Sequence, residues 1–169
     1  FLKVLPGEAV PPFDVAKLRA ADPKKDWDSV IKYWDKFCAR MAQIDTPDSV
    51  LEDVYLSRLS TRHILDVKIT DKIWWNACSP WFYYDYANRD QAYVILAYDM
   101  AGLHDLAQRL LNVYCMDVKD VPKGPISFAE VPLQLGMEPD GLWHTRPGQW
   151  DTQGQNIWCL AQHYKLSGD

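Results

Sequence analysis

The chain has no run of lysine or arginine, and its 18 basic residues are outnumbered by 23 acidic ones, for a net charge of −5. A nucleic acid or an anionic membrane surface is held by a basic face, so neither is expected as a partner. No apolar stretch approaches the roughly 20 residues that span a bilayer. A soluble chain is therefore the expectation. Cysteine is sparse as well: Cys38, Cys78, Cys115 and Cys159 are widely spaced and form no C-x-x-C pair. That argues against a zinc centre or a dense disulfide framework and predicts four reduced, buried thiols. Neither Ser79 nor Cys78 has a G-x-S-x-G or paired-base context, which argues against acyl chemistry. His104 and His163 fall on helical stretches with no second ligand at helical spacing, so both read as structural and no metal or other cofactor is expected. Methionine is absent from position 1, no signal-peptide pattern is present, and the last residues, Ser167-Gly168-Asp169, follow directly on a helical stretch. These features read as a piece of a longer protein.

Aromatic residues, in contrast, are abundant, with eight tryptophans and nine tyrosines among 169 residues. They cluster at 74–86, 143–150 and 158–164, and aromatic clusters outside helices suggest ligand contact. A chain of this length buries about 70 % of its unfolded surface around one core.

Apolar spacing then organises the chain. Residues 1–5 read as a short extended arm stopped by Pro6-Gly7, and the prolines at 6, 11, 12 and 23 predict an irregular linker over 6–23. Trp27, Val30, Ile31, Trp34, Phe37, Cys38 and Met41 recur at three- and four-residue steps, predicting a helix over 24–43. Thr46, Pro47 and Asp48 read as an N-cap, a first-position proline and a first-turn acid, opening a helix over 47–66. Short β-prone pieces at 67–69 and 73–75 and the aromatic stretch make 67–87 a long loop. Helices over 88–101 and 104–116 follow, separated by Gly102 at a left-handed C-terminal position, so that they form an antiparallel hairpin. Five of the eleven prolines lie in 117–150, a second long loop, before Asp151-Thr152 caps a helix over 152–166. The fold class expected is all-α. Long loops alternate with a very short turn, so both long loops emerge at one end of successive antiparallel helices, as in an α/α toroid.

The first of those loops contains Trp81-Phe82-Tyr83-Tyr84-Asp85-Tyr86-Ala87-Asn88-Arg89-Asp90. Five aromatics in six positions, ended by adjacent opposite charges, suit a carbohydrate. Sugar rings stack their apolar C–H faces on aromatic rings, and Arg and Asp hydrogen-bond the hydroxyls directionally. The alternative is that the aromatics are core and that Arg89-Asp90 is a solvated helix cap.

Residues 81–103, reading W-F-Y-Y-D-Y-A-N-R-D-Q-A-Y-V-I-L-A-Y-D-M-A-G-L, resemble the six-hairpin glycosidases, most nearly their glucoamylase-like branch. There an aromatic run ending in Arg-Asp opens an inner helix that closes on an apolar-x-x-x-Gly pattern. Residues 143–154, W-H-T-R-P-G-Q-W-D-T-Q-G, are similar to that family's W-G-R-P-Q-x-D-G loop, and the two motifs stand in the same order and separation. The resemblance covers about 46–169, leaving 1–45 as arm, linker and connector helix. It implies an (α/α)6 toroid and a glycoside hydrolase acting on α-linked oligosaccharides or a related glycan. It also implies that Arg89 and Asp90 hold the hydroxyls of the terminal sugar, that Tyr84 and Tyr86 line the pocket, and that Trp143 stacks beside the scissile bond with Arg146 near it. Ala87 replaces the family's usual bulky group two before the Arg, and His144, Thr145, Gly148 and Trp150 widen the second motif, so the resemblance does not identify the sugar.

Glycoside hydrolysis needs two carboxyl groups across the bond. The resemblance puts the family's acid and base beyond Asp169, in the remainder of a parent chain, and the catalytic residues are unassigned. Glu130, Glu138 and Asp140 are candidate acids within the second loop, against the alternative of solvated loop charges. Two other classes stay open: a non-catalytic glycan-binding module, and a terpene-cyclase-like α/α enzyme prompted by Gln134, Gly141 and Trp143 but lacking any Asp-rich diphosphate motif.

Overall fold

The computed structural model describes residues 16, 19–68, 71, 74–78, 87–115 and 151–169. The chain divides into two compact units, Phe1–Ala39 and Arg40–Asp169. Among the described residues, the structure is mainly helical with one small two-stranded sheet, in agreement with the all-α class. No helix there is long and apolar enough to cross a membrane.

Helix α1 (Pro23–Arg40) accounts for most of the described part of the first unit. Asp22 caps it, its Oδ1 accepting from the amides of Lys24 (3.1 Å) and Lys25 (3.3 Å), with proline at the first helical position, where its missing N–H costs nothing. Phe37 is buried and meets Trp34 edge-on at 5.6 Å, but Trp27, Val30 and Ile31 on the same predicted stripe are exposed. The helix stops three residues before the expected 43, and Ala42 N–H donates instead to the Ala101 carbonyl (2.8 Å). Ala16 and Arg19, in the stretch expected to be irregular, have helical backbone.

Helix α2 (Ser49–Ile64) is capped by Asp48 and not, as the sequence suggested, by Thr46. Asp48 is extended and its Oδ1 accepts from Val50 N–H at 2.9 Å, whereas Thr46 Oγ1 donates to the Asp48 carbonyl (2.7 Å). Aspartate caps at least as well as threonine, and the Thr46 hydroxyl is engaged by the Asp48 carbonyl instead. Strand β1 (Asp66–Lys68) begins where the second helix was expected to finish, and pairs antiparallel with β2 (Trp74–Asn76) in the register Asp66↔Asn76, Val67↔Trp75, Lys68↔Trp74.

Helices α3 (Asn88–Met100), α4 (His104–Leu111, continued by a 3₁₀ turn over Asn112–Cys115) and α5 (Thr152–Ser167) form the core of the second unit. Ala92, Ile95, Tyr98, Leu103, Leu110, Val113 and Tyr114 are wholly buried. Each large aliphatic side chain among them contributes about 1.5–3 kcal/mol by leaving water. The turn between α3 and α4 is a paired C-terminal cap: Leu103 N–H reaches the Tyr98 carbonyl (2.8 Å) and Gly102 N–H the Asp99 carbonyl (3.0 Å). This needs a left-handed residue at Gly102, where φ is 75° and a side chain would be strained.

Relative directions follow from side-chain contacts. Gln91 meets the Leu110 carbonyl and Asp99 meets His104, so α4 runs antiparallel to α3. Arg89 meets Asp151, Ala92 meets Cys159 and Asp99 meets His163, so α5 runs parallel to α3, and it is the helix α3 contacts most.

Candidate functional site

The parallel arrangement of α3 and α5 puts their N-termini side by side. Arg89, in the first turn of α3, donates through Nη2 to Asp151 Oδ1 at 2.7 Å, and Gln155 Nε2 donates to the other carboxylate oxygen at 3.2 Å. Asp151 had read as the side-chain cap of the last helix. It occupies that position, but its carboxylate makes no capping bond, because it is turned to Arg89 and Gln155. Asp90 occupies the third position of α3, behind an Ala87 N-cap that offers no side chain, and its carboxylate suits the positive end of the helix dipole. It is exposed, and the Cys78 thiol lies 3.6 Å from its Oδ2. Of the expected sugar-binding residues, the structure therefore brings Arg89 and Asp90 to one exposed helix end. Tyr84, Tyr86, Trp143 and Arg146 lie outside the described residues, as do Glu130, Glu138 and Asp140.

Below this end, a buried polar scaffold ties the hairpin to the helices. Gln91, next to Asp90 but inward and buried, accepts from Asn76 N–H of β2 (2.9 Å) and donates to the Leu110 carbonyl of α4 (3.0 Å). Asn76 Nδ2 continues the path to Asp66 Oδ1 (2.9 Å). The Asp66 carboxylate is buried and collects His63 Nδ1 (3.0 Å), the Tyr98 hydroxyl (3.3 Å) and Arg109 Nη2 (3.3 Å), while the Arg109 guanidinium lies over the Trp74 ring at 4.1 Å. Burial, reinforced by the Asp66 charge and its hydrogen bond, pushes the Tyr98 hydroxyl pKa well above its ordinary 10, so it stays a donor.

A second buried carboxylate, Asp99, stands one residue after Tyr98. Nδ1 of His104 and Nδ1 of His163 both lie 2.9 Å from it, so one side chain links α3, the start of α4 and α5. Cys159 is buried beside this centre, and burial followed by the Asp99 charge pushes its thiol up to about 12. All four cysteines are expected to be buried, and Cys159 is, yet Cys38 and Cys78 are only half-buried. Both histidines have structural surroundings, but the partner that joins them was not singled out from the sequence. Asp99 did leave a trace: it continues the Ala92, Ile95 stripe at helical spacing, a charged residue on a buried face. Asp66 left none, because it follows the end of a helix and, His63 apart, its partners Asn76, Tyr98 and Arg109 come from distant segments.

Among the described residues, no group of three or more His, Cys, Asp or Glu side chains is placed to hold a metal ion. The groups at the helix ends are the Asp90 and Asp151 carboxylates, the Arg89 guanidinium and side-chain amides, a set suited to hydrogen bonding a polar ligand. No protein-family model matches the chain, and neither a curated protein nor a solved structure does.

Proposed function

We propose that this chain carries the sugar-anchoring part of a glycoside hydrolase of the six-hairpin, glucoamylase-like type, acting on α-linked oligosaccharides or a related glycan. The observation that supports this reading best is the Arg89–Asp151 pair at the start of two parallel helices. The aromatic run at 81–86 leads into one of those helices, and the Trp143 to Trp150 stretch leads into the other. The polypeptide thus enters α3 and α5 at the same end, and parallel helices alternating with an antiparallel one suit an (α/α)6 toroid. Asp90 accepts from hydroxyls of the terminal sugar, Arg89 donates to them, and Tyr84, Tyr86, Trp143 and Arg146 supply the aromatic and cationic walls. The catalytic acid and base belong to the remainder of a parent chain. In this reading the 169-residue chain binds glycans without hydrolysing them.

The test is Asp90→Ala, with affinity for α-linked di- and trisaccharides and unfolding measured side by side. The side chain is exposed in the first turn of α3, so stability should fall by only about 0.3–1 kcal/mol through the lost dipole interaction. The dissociation constant should rise about tenfold or more, the worth of a hydrogen bond to a charged group. Equal affinity of the two proteins would dismiss Asp90 as a sugar ligand. Sugar release by the purified chain would instead move the catalytic carboxylates into it and bring Glu130, Glu138 and Asp140 forward.

A further inference from the structure

Six buried side-chain nitrogen or oxygen atoms among the described residues have no hydrogen-bond partner, and four of them belong to three residues near the N-termini of α3 and α5. They are Arg89 Nε, Gln155 Oε1, and both Oδ1 and Nδ2 of Asn156, whose residue is wholly buried. An amide shut away from water with neither atom paired is costly, and native proteins retain such groups where something else satisfies them. Asn156 shares the inward stripe of α5 with Cys159 and His163 at helical spacing. Since Cys159 meets Ala92 and the helices are parallel, Asn156, one turn earlier, comes level with Arg89. Gln155 is already tied to the same place through Asp151.

The unpaired set contains two donors, Arg89 Nε and Asn156 Nδ2, and two acceptors, Gln155 Oε1 and Asn156 Oδ1. An ionised carboxylate only accepts, so it would leave both oxygens unpaired. A group that gives and takes hydrogen bonds at once suits all four, and vicinal hydroxyls of a sugar ring are such groups. We propose that Asn156, assisted by Gln155, is a further sugar-binding residue, completing from α5 the anchoring site that Arg89 and Asp90 open on α3. This rests on the sugar-binding reading of that end.

Asn156→Leu separates binding from structure. It replaces two unpaired polar atoms by an apolar side chain of similar size, so the ligand-free protein should melt at the same temperature or higher. Affinity for the α-linked saccharide that the wild-type chain binds best should fall about tenfold, as for any ligand hydrogen bond removed. In the wild-type chain, the Asn156 side-chain amide resonance should shift as that saccharide saturates, a readout that does not depend on the variant folding. A Leu variant that binds within twofold of wild type, or an amide resonance unmoved at saturation, overturns the role of Asn156 and leaves its polar atoms to an ordered water. If the wild-type chain binds no saccharide, the sugar reading of the whole end fails with it.

Discussion

The two ends of α3 carry the same kinds of residue and use them in opposite ways. Near its C-terminus, the Tyr98 hydroxyl meets the Asp66 carboxylate and Asp99 meets the imidazoles of His104 and His163, and the Asp66 and Asp99 side chains are only 2 % and 0 % exposed. At its N-terminus, Arg89 and its partner Asp151 remain 41 % and 50 % exposed, and Asp90 reaches solvent. A carboxylate that has spent its lone pairs on buried donors can hold helices together but has nothing left for a ligand. One that is half in water contributes little to stability and stays available. Burial, and not residue type, separates the charges that hold helices together from those that stay open to solvent on this helix.

The comparison breaks most visibly at Asp99. Asp99→Ala strands two imidazoles and opens a space among three helices, so stability should fall by about 3–5 kcal/mol in urea unfolding, as when one partner of a buried pair is removed. A loss under about 1 kcal/mol would show that the two histidines do not depend on that carboxylate. Alkaline pH attacks the same end. The Cys159 thiol is raised from its ordinary 9 to about 12, so its contribution is fully present below pH 9 and is lost as pH rises from 9 towards 12. Tyr98, raised from 10, adds a loss that begins near pH 10. Together they predict a stability that declines above pH 9, by up to about 4 kcal/mol from the thiol alone. Cys159→Ala should make that decline shallower whatever it does to stability at pH 7, and an unchanged slope would refute the assignment. The smallest effect belongs to the N-terminal end. Asp151→Asn breaks an exposed ion pair and should cost less than about 1 kcal/mol, with the remainder screened away in 0.5 M salt. A cost approaching that of Asp99→Ala would erase the distinction between the two ends.

Much of the secondary structure was legible in order. Helices expected at 88–101 and 152–166 appear as Asn88–Met100 and Thr152–Ser167, since Gly102 and Gly168 both stop the chain in left-handed backbone. Both β-prone pieces fall in the hairpin region. The misreadings are local choices decided by competition. Asp48 took the cap from Thr46, and the 3₁₀ turn over Asn112–Cys115 replaced the last turn of a helix expected to reach 116. Within the candidate site, Arg89 and Asp90 are legible because they adjoin an aromatic run, whereas Asp151 has only the signature of a helix cap and Gln155 and Asn156 carry no local signal.

The order of the helices and the ends of α3 and α5 are written in neighbouring residues, because capping, left-handed glycine and apolar spacing act between residues a few positions apart. The meeting of an aromatic run with an Arg-Asp pair at a helix start is equally local. The parallel packing of α5 on α3 is not, and it is what joins Arg89 to Asp151 across 62 positions and His163 to Asp99 across 64. Such pairings depend on which helix faces fit together and on the cost of burying charge without a partner, and neither is encoded in the spacing of neighbouring residues.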